Sequence, residues 1–214
     1  LAGRVLVVAP PAATVDAEGR AGFVVDGQPV HLGVHGPHQA GNAMLAWCLG
    51  RELHLRPAAM ATALGRVVLP GGRGELLQHG GLTVFNDSYN ANPASFLAAI
   101  ETARAMRPGR RLTFVAGTMK ELGPESAHYH REVAEALVAL GPDLLAAVGE
   151  FVPALEPYRG ALGDRLLVAP DAPALGPLLK ARLQGDELVV LKASRGAALE
   201  RILPYLGLTP ATSH

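Results

Sequence analysis

The chain has little cysteine, little lysine, little asparagine and no net charge. Its one cysteine, Cys48, excludes an intrachain disulfide framework and a cysteine-rich zinc site. Its 19 cations balance its 19 anions. That argues against a nucleic-acid coat or a polybasic membrane binder, since both need a cationic excess. No apolar run reaches about 18 residues, so no segment reads as a bilayer-spanning helix. Two nucleotide motifs are also missing. Gly72-Arg73-Gly74 lacks the third glycine of a dinucleotide fingerprint and precedes no helix. No G-K-[ST] occurs, so nothing here reads as a Walker loop for a triphosphate.

What is present is a core-forming chain. Of 214 residues, 49% are hydrophobic and 18% charged, enough for one domain and part of another. The scarce residues are unevenly placed. The only lysines are Lys120, Lys180 and Lys192; the only asparagines are Asn42, Asn86, Asn90 and Asn92. Three of the four asparagines share one short stretch, which marks that stretch for chemistry as well as for turning.

The chain begins at Leu1 and reads as a piece of a longer protein. Residues 4–8 have the look of a strand that ends at Pro10-Pro11. Residues 23–25 and 29–32 suggest two strands joined at Asp26-Gly27. A helix is expected over 39–52, with Leu45, Cys48 and Leu49 on one face and Cys48 in a core. A second is expected over 57–64, with proline in its first turn. Residues 70–74 read as a linker and hinge, which places a domain boundary at 74/75. Beyond it the pattern is regular. Strand-like runs at 82–85, 112–115, 144–148, 166–168 and 188–191 alternate with helical stretches at 93–106, 127–140, 151–158, 172–183 and 197–206. This predicts an α/β, Rossmann-like, mostly parallel sheet with helices on both faces. Ligands of such sheets bind beyond the carboxyl ends of the strands, and three of the five ends carry scarce residues: Asn86 and Asn90, Lys120, and Lys192.

Asn86 to Asn92 places amides, a carboxylate, a hydroxyl and a phenol between a strand and a helix that opens at Pro93. Asp87 suits ribose hydroxyls, and the amides suit an amide or carboxylate ligand. Asn92 also reads as a helix N-cap. Lys192-Ala193-Ser194-Arg195-Gly196 ends a buried strand and opens a further helix, a setting for carboxylate or phosphate. His38 and Asn42 stand one helical turn apart and can face one ligand such as a purine. The run His31, His35, His38 is a poor metal site, with neither Cys nor a nearby carboxylate. Of His128 and His130, at least one is expected on a solvated helix surface.

These residues resemble the Mur ligase family. Asn86-Asp87-Ser88-Tyr89-Asn90-Ala91-Asn92-Pro93 is similar to the D-D-S-Y-N-A-N-P signature of the branch that adds D-alanyl-D-alanine to the peptidoglycan precursor. Gly117-Thr118-Met119-Lys120-Glu121-Leu122-Gly123 resembles its G-x-M-x-E-L-G segment. Lys192-Ala193-Ser194-Arg195 resembles K-G-S-R, and Gly36-Pro37-His38-Gln39-Ala40-Gly41-Asn42 resembles G-x-H-x-x-x-N. Arg73 sits where the family's linker G-R does. Asn86 replaces the first aspartate, Ala193 a glycine, and Gln39 a frequent Asn.

The resemblance implies that residues 1–74 end a central ATP-binding domain and 75–214 form the family's C-terminal domain. It implies an ATP- and Mg2+-dependent cytoplasmic ligase joining UDP-N-acetylmuramoyl-tripeptide to D-alanyl-D-alanine through an acyl phosphate. His38, Asn42, Arg73 and Asp87 would serve ATP. Tyr89, Asn90, Lys192, Ser194 and Arg195 would face the amino-acid substrate. The UDP-sugar domain, the Walker loop, the magnesium ligands and the carbamylated lysine would belong to the rest of the enzyme. With no lysine before Lys120, this chain offers no stand-in for the last of these. The fragment alone is expected to be inactive, and a hinge at 71–74 is expected to close the domains. Two alternatives stand beside this reading: another ligase of the Mur or folylpolyglutamate type, and a non-enzymatic flavodoxin-like binding module.

Overall fold

The computed structural model describes residues 5 and 7–209. The chain divides into two compact units, with the boundary between Val68 and Leu69. In the first unit, β1 (Thr14–Val15), β2 (Arg20–Val25) and β3 (Gln28–His35) form an antiparallel sheet in that order. The β2–β3 turn falls at Asp26-Gly27, with φ of 50° and 72°, the geometry of a two-residue hairpin. The Asp26 carboxylate accepts from Trp47 Nε1 at 3.0 Å and pairs with Arg51 at 3.0 Å. Both partners lie on α1 (Gln39–Glu52), which precedes α2 (Pro57–Gly65).

Helix α1 corrects an expectation about burial. Leu45 and Leu49 share a face with Cys48, but they are 56% and 62% exposed, and Cys48 is half-buried. The buried face is Ala40, Ala43, Trp47 and Gly50. Trp47, the largest side chain on the helix, takes the core and rotates the leucines outward. Of the strand expected over 4–8, Arg4 and Leu6 lie outside the described residues, and Val5, Val7 and Val8 belong to no strand.

The second unit holds a six-stranded sheet. Its strands are β4 (Glu75–His79), β5 (Leu82–Asp87), β6 (Leu112–Ala116), β7 (Leu144–Val148), β8 (Leu166–Ala169) and β9 (Leu188–Lys192). The order is β4-β5-β9-β6-β7-β8, parallel except for β4, which pairs antiparallel with β5. Its helices are α3 (Pro93–Met106), α4 (Ser126–Leu140), α5 (Phe151–Leu155), α6 (Arg159–Leu162) and α7 (Ala172–Arg182). Phe96 of α3, Leu137 of α4 and Phe151 of α5 pack on one face of the sheet. Leu175 and Leu179 of α7, with Ile202, pack on the other. Central strand β9 sends Leu188 and Val190 to the first core and Val189 and Leu191 to the second. Burial on both sides explains its unbroken apolar run.

Two helices differ from expectation. The stretch at 151–158 is α5 followed by a 3-10 turn, Glu156–Tyr158, with helical turns continuing through α6; Pro153 and Pro157 cannot donate to a regular ladder. The stretch at 197–206 is not an α-helix. A 3-10 turn at Arg195–Ala197 is broken by Ala198 in the left-handed region, φ 50°, and a 3-10 helix then spans Leu199–Leu206, with Pro204 inside it. The helix N-terminus expected near Gly196 is therefore absent.

The turn into β9 is closed by Glu187, which is 1% exposed. Its carboxylate accepts from the backbone N–H of Gln184, Gly185 and Asp186 at 2.6, 2.8 and 3.1 Å. Burial pushes this carboxyl up, but the backbone donors outweigh burial and hold it below its ordinary 4.5. A depressed value means that the stabilisation is complete above the unfolded-state value and is lost as pH falls through the folded one. Glu187→Gln is expected to lower stability at pH 7 by roughly 1–2 kcal/mol and to flatten the acid limb of the stability curve. Urea unfolding from pH 7 down to pH 3 measures both. An acid limb as steep as wild type would show that other carboxylates set it.

Candidate functional site

The parallel strands do not follow chain order. From β5 the chain crosses past the position of β9 to reach β6, and β9 fills the gap last. The segments leaving β5 and β6 pack on one face of the sheet and the segment leaving β9, Leu199–Leu206, packs on the other, which opens a crevice beyond the strand ends. At that edge Asp87, Lys192 and Ala116 are register neighbours.

Lys192 organises the site from within. Its side chain is 2% exposed, and its ammonium pairs with Asp87 Oδ2 at 2.7 Å. It also donates to the carbonyls of Asn90 at 2.6 Å and Asp87 at 3.3 Å. Three donors meet three acceptors, so the buried charge is fully satisfied and the Asp87–Asn90 turn is wrapped around it. Ser194 acts similarly. It is 3% exposed; its hydroxyl donates to the Ala91 carbonyl at 3.2 Å and accepts from Lys120 N–H at 2.9 Å. One serine thus ties together the loops after β5, β6 and β9. Asn90 is exposed, and its side-chain oxygen accepts from Ala91 N–H at 2.9 Å. Asn92 caps α3 in a reciprocal arrangement with Ser95, as its position before Pro93 suggests.

Tyr89 is the meeting point of two arginines. The Arg73 guanidinium stacks 3.7 Å from the ring centroid, and that of Arg195 lies at 5.3 Å. A hydrogen bond from Arg73, the Arg73 charge, and the same two influences from Arg195 hold the phenol below its ordinary 10.0. Tyr89 N–H also donates to the Gly72 carbonyl at 2.9 Å. Gly72 and Arg73, expected in a free hinge, are thus fastened to the end of β5. Arg195 forms no ion pair with Glu200 among the described residues.

Asn86 is 1% exposed. Its amide donates to Glu75 Oε2 at 3.1 Å, its oxygen accepts from Ser88 at 2.6 Å, and the same Glu75 oxygen accepts from Gly72 N–H at 3.2 Å. Aspartate here would set two carboxylates together, so asparagine suits Glu75. Asn86→Asp is expected to cost roughly 1–3 kcal/mol at pH 7, most of it regained with Glu75→Gln added. Equal urea midpoints for wild type and Asn86→Asp would overturn this account. Ala193, which replaces a glycine, turns its methyl into the core: it is 0% exposed, and a Cβ built on Gly117 would lie 2.8 Å from it.

His38 and Asn42 belong to the first unit, at the start of α1. His38 is its N-cap residue, and the Asn42 amide donates to Gln39 Oε1 at 2.9 Å. Both are exposed. Among the described residues no three His, Cys, Asp or Glu side chains cluster as a metal site, the His31–His38 run included. His128 is exposed and His130 is 1% exposed.

A family model described as Mur ligase, glutamate ligase domain, matches residues 72–195, the segment that contains this edge. The chain belongs to the Mur ligase family. Within the family it is 32% identical over 199 residues to the UDP-N-acetylmuramoyl-tripeptide--D-alanyl-D-alanine ligase of Synechocystis sp., covering 90% of this chain and 42% of that protein. It is 31% identical over 186 residues to the Bacillus subtilis protein of the same name, covering 82% and 39%. The fold resembles MurF from Acinetobacter baumannii, with TM-score 0.76 at 24% identity over 91% of this chain and 44% of that one. It also resembles the Thermotoga maritima MurF ligase in complex with ADP, with TM-score 0.71 at 26% identity over 87% and 42%. The chain spans about two-fifths of the length of the curated relatives it matches.

Sequence reasoning placed Glu150 at a strand end but missed His130, Ser126 and Glu75 as parts of this edge. A signal for His130 was available. It precedes Val133, Ala134, Leu137 and Leu140 at helical spacing, and all of these are buried on α4.

Proposed function

We propose that this chain is part of an ATP-dependent ligase that joins UDP-N-acetylmuramoyl-tripeptide to D-alanyl-D-alanine in peptidoglycan precursor synthesis. The observation that carries the reading is the octapeptide turn at 86–93, wrapped around buried Lys192 at the strand crossover, with Arg73 and Arg195 converging on Tyr89. The identity to D-alanyl-D-alanine ligases over most of the chain supports it. Residues 1–74 would close the central ATP-binding domain, and 75–214 would form the C-terminal domain.

The chemistry follows from the reactants. A carboxylate is a poor electrophile until one of its oxygens becomes part of a phosphate leaving group. The tripeptide carboxylate attacks the γ-phosphorus of ATP and ADP departs. The dipeptide amine then attacks the acyl phosphate carbon and loses a proton, and the tetrahedral adduct expels inorganic phosphate to leave the amide. His38 and Asn42 are assigned to adenine, and Arg73 and Asp87 to ribose or phosphate. Asp87 gives Oδ2 to Lys192 and keeps Oδ1 for a ribose hydroxyl. Tyr89, Asn90 and Arg195 face the dipeptide, while Lys192 and Ser194 serve it by holding their loops. Among the described residues no three His, Cys, Asp or Glu side chains cluster in a way that would fit magnesium.

The test is ADP release by the enzyme that carries this sequence, with the tripeptide nucleotide and the dipeptide each withheld in turn. Release that requires both, with D-alanyl-D-alanine preferred over single amino acids, is the expected result. Preference for glutamate or another single amino acid would move the protein to a different branch of the family.

A further inference from the structure

Lys192 uses its ammonium inside the fold, so the lysine at this edge that reaches solvent is Lys120. Its stem runs along Gly196: a Cβ built there would lie 3.5 Å from Lys120 Cε. That puts the side chain beside the Arg195 loop. The turn that carries Lys120 is strained, because Glu121, next in the chain, has φ 65°, a conformation side chains disfavour. Such a residue persists where its surroundings over-determine it, and here two amides are gripped. Lys120 N–H is held by Ser194 Oγ, and Met119 N–H donates to His130 Nε2 at 3.0 Å.

The second of these bonds sets the state of the histidine. A backbone N–H can only donate, so Nε2 must be the acceptor and the ring proton must sit on Nδ1. Nδ1 lies 2.8 Å from the Ser126 carbonyl, which accepts that proton. The ring is 1% exposed and meets Phe151 edge-on, 4.8 Å between centroids. The carboxylate facing it is Glu150, with Oε2 3.6 Å from Nδ1. Glu150 is itself fixed: Oε2 accepts from Ser126 Oγ at 2.6 Å, and its N–H donates to Thr118 Oγ1 at 3.0 Å.

We infer that His130 is a positioning residue: as the neutral Nδ1–H tautomer it pins the Thr118–Glu121 turn, so that Lys120 stands beside Arg195 as a second cation for the C-terminal carboxylate of the dipeptide. The dipeptide part rests on the ligase reading above; the tautomer and the pinned turn do not.

Three measurements test this. In a long-range 1H–15N correlation of the 214-residue chain, His130 should carry its proton on Nδ1 alone at pH 7; a proton on Nε2 overturns the inference. In His130→Asn, the amide can take over the Nδ1 contact but has no acceptor at the Nε2 position, whereas the Gln oxygen in His130→Gln reaches that position. Amide exchange at Met119 and Lys120 should rise about tenfold or more relative to Phe114 and Leu145 in the Asn variant and stay near wild type in the Gln variant. A uniform rise across β6 and β7, or none at Lys120, would show a merely structural histidine. In the enzyme that carries this sequence, His130→Asn and Lys120→Met should each raise KM for D-alanyl-D-alanine about tenfold with KM for ATP unchanged. An active wild type in which both variants keep the dipeptide KM would remove Lys120 from the site. A wild type that does not turn over D-alanyl-D-alanine would refute the ligase reading and leave the exchange result to decide the turn.

Discussion

Asp87→Ala is expected to destabilise the second unit by about 3 kcal/mol. The reason is the state in which it leaves Lys192. That ammonium is 2% exposed and pairs with Asp87 Oδ2 at 2.7 Å. Removing one partner of a buried pair strands the other charge away from water, which costs about 3–5 kcal/mol. Asp87 retains 23% side-chain exposure, so water can enter in its place and the lower end applies. Two carbonyls would still hold the ammonium, but they bring no negative charge. Adding Lys192→Met, which keeps the stem and removes the charge, should recover most of the loss. Urea unfolding of the single and double variants gives both numbers. A single variant within 1 kcal/mol of wild type would mean that the ammonium finds water, and the site would be far more open than the geometry implies.

This effect bears on how Asp87 can be probed in the enzyme. A rise in KM for ATP in Asp87→Ala mixes a lost ribose contact with a loosened turn. The double variant Asp87→Ala/Lys192→Met separates the two, because it removes the stranded charge without restoring the carboxylate. If ribose binding is the role, KM for ATP stays raised in the double variant while stability returns towards wild type.

The edge itself was legible in the sequence because two independent signals met there. The apolar runs of β5 and β9 gave parallel strands, and the scarce asparagines and lysine fell at their carboxyl ends. What each residue does there was less legible. Lys192 reads as a ligand-facing cation when only its place after Leu188–Leu191 is known; its burial follows from Asn90 and Asp87 curling over it, a tertiary fact. The strand β4 carries Glu-Leu-Leu-Gln-His, with no alternation to mark it, and becomes a strand because β5 offers it a free edge. In α1 the leucines outnumber the tryptophan in a count of apolar residues, yet Trp47 is anchored to Asp26 twenty-one positions away, which no helical period encodes. The last segment, 197–206, has an amphipathic spacing that suits an α-helix, but a left-handed Ala198 and Pro204 divert it into 3-10 turns.

Without that helix, Arg195 stands in a 3-10 turn at the edge of the sheet. No α-helix N-terminus supplies backbone donors at Gly196, so on the proposed reading the guanidinium would do more of the binding. It is exposed, and its neighbour is the Tyr89 ring at 5.3 Å rather than Glu200. An exposed guanidinium carries five N–H donors, more than the Tyr89 phenol can take, and can offer a carboxylate two parallel bonds. D-alanyl-D-alanine carries one carboxylate that its own reaction does not consume. Losing a charge-assisted hydrogen bond costs roughly 1.5–3 kcal/mol, a factor of about 10 to 150. Arg195→Ala in the enzyme that carries this sequence is therefore expected to lower kcat/KM for the dipeptide by one to two orders of magnitude. Arg73 stacks on the other contact of Tyr89 at 3.7 Å and is assigned to ATP, so KM for ATP should stay near wild type. Arg195 is exposed and its contact is with Tyr89, so urea stability of the variant should fall by no more than about 1 kcal/mol. Steady-state kinetics with each substrate varied in turn decides the matter. A defect confined to ATP would exchange the roles of the two arginines, and a fall in stability with intact dipeptide kinetics would make Arg195 a clamp on Tyr89 alone.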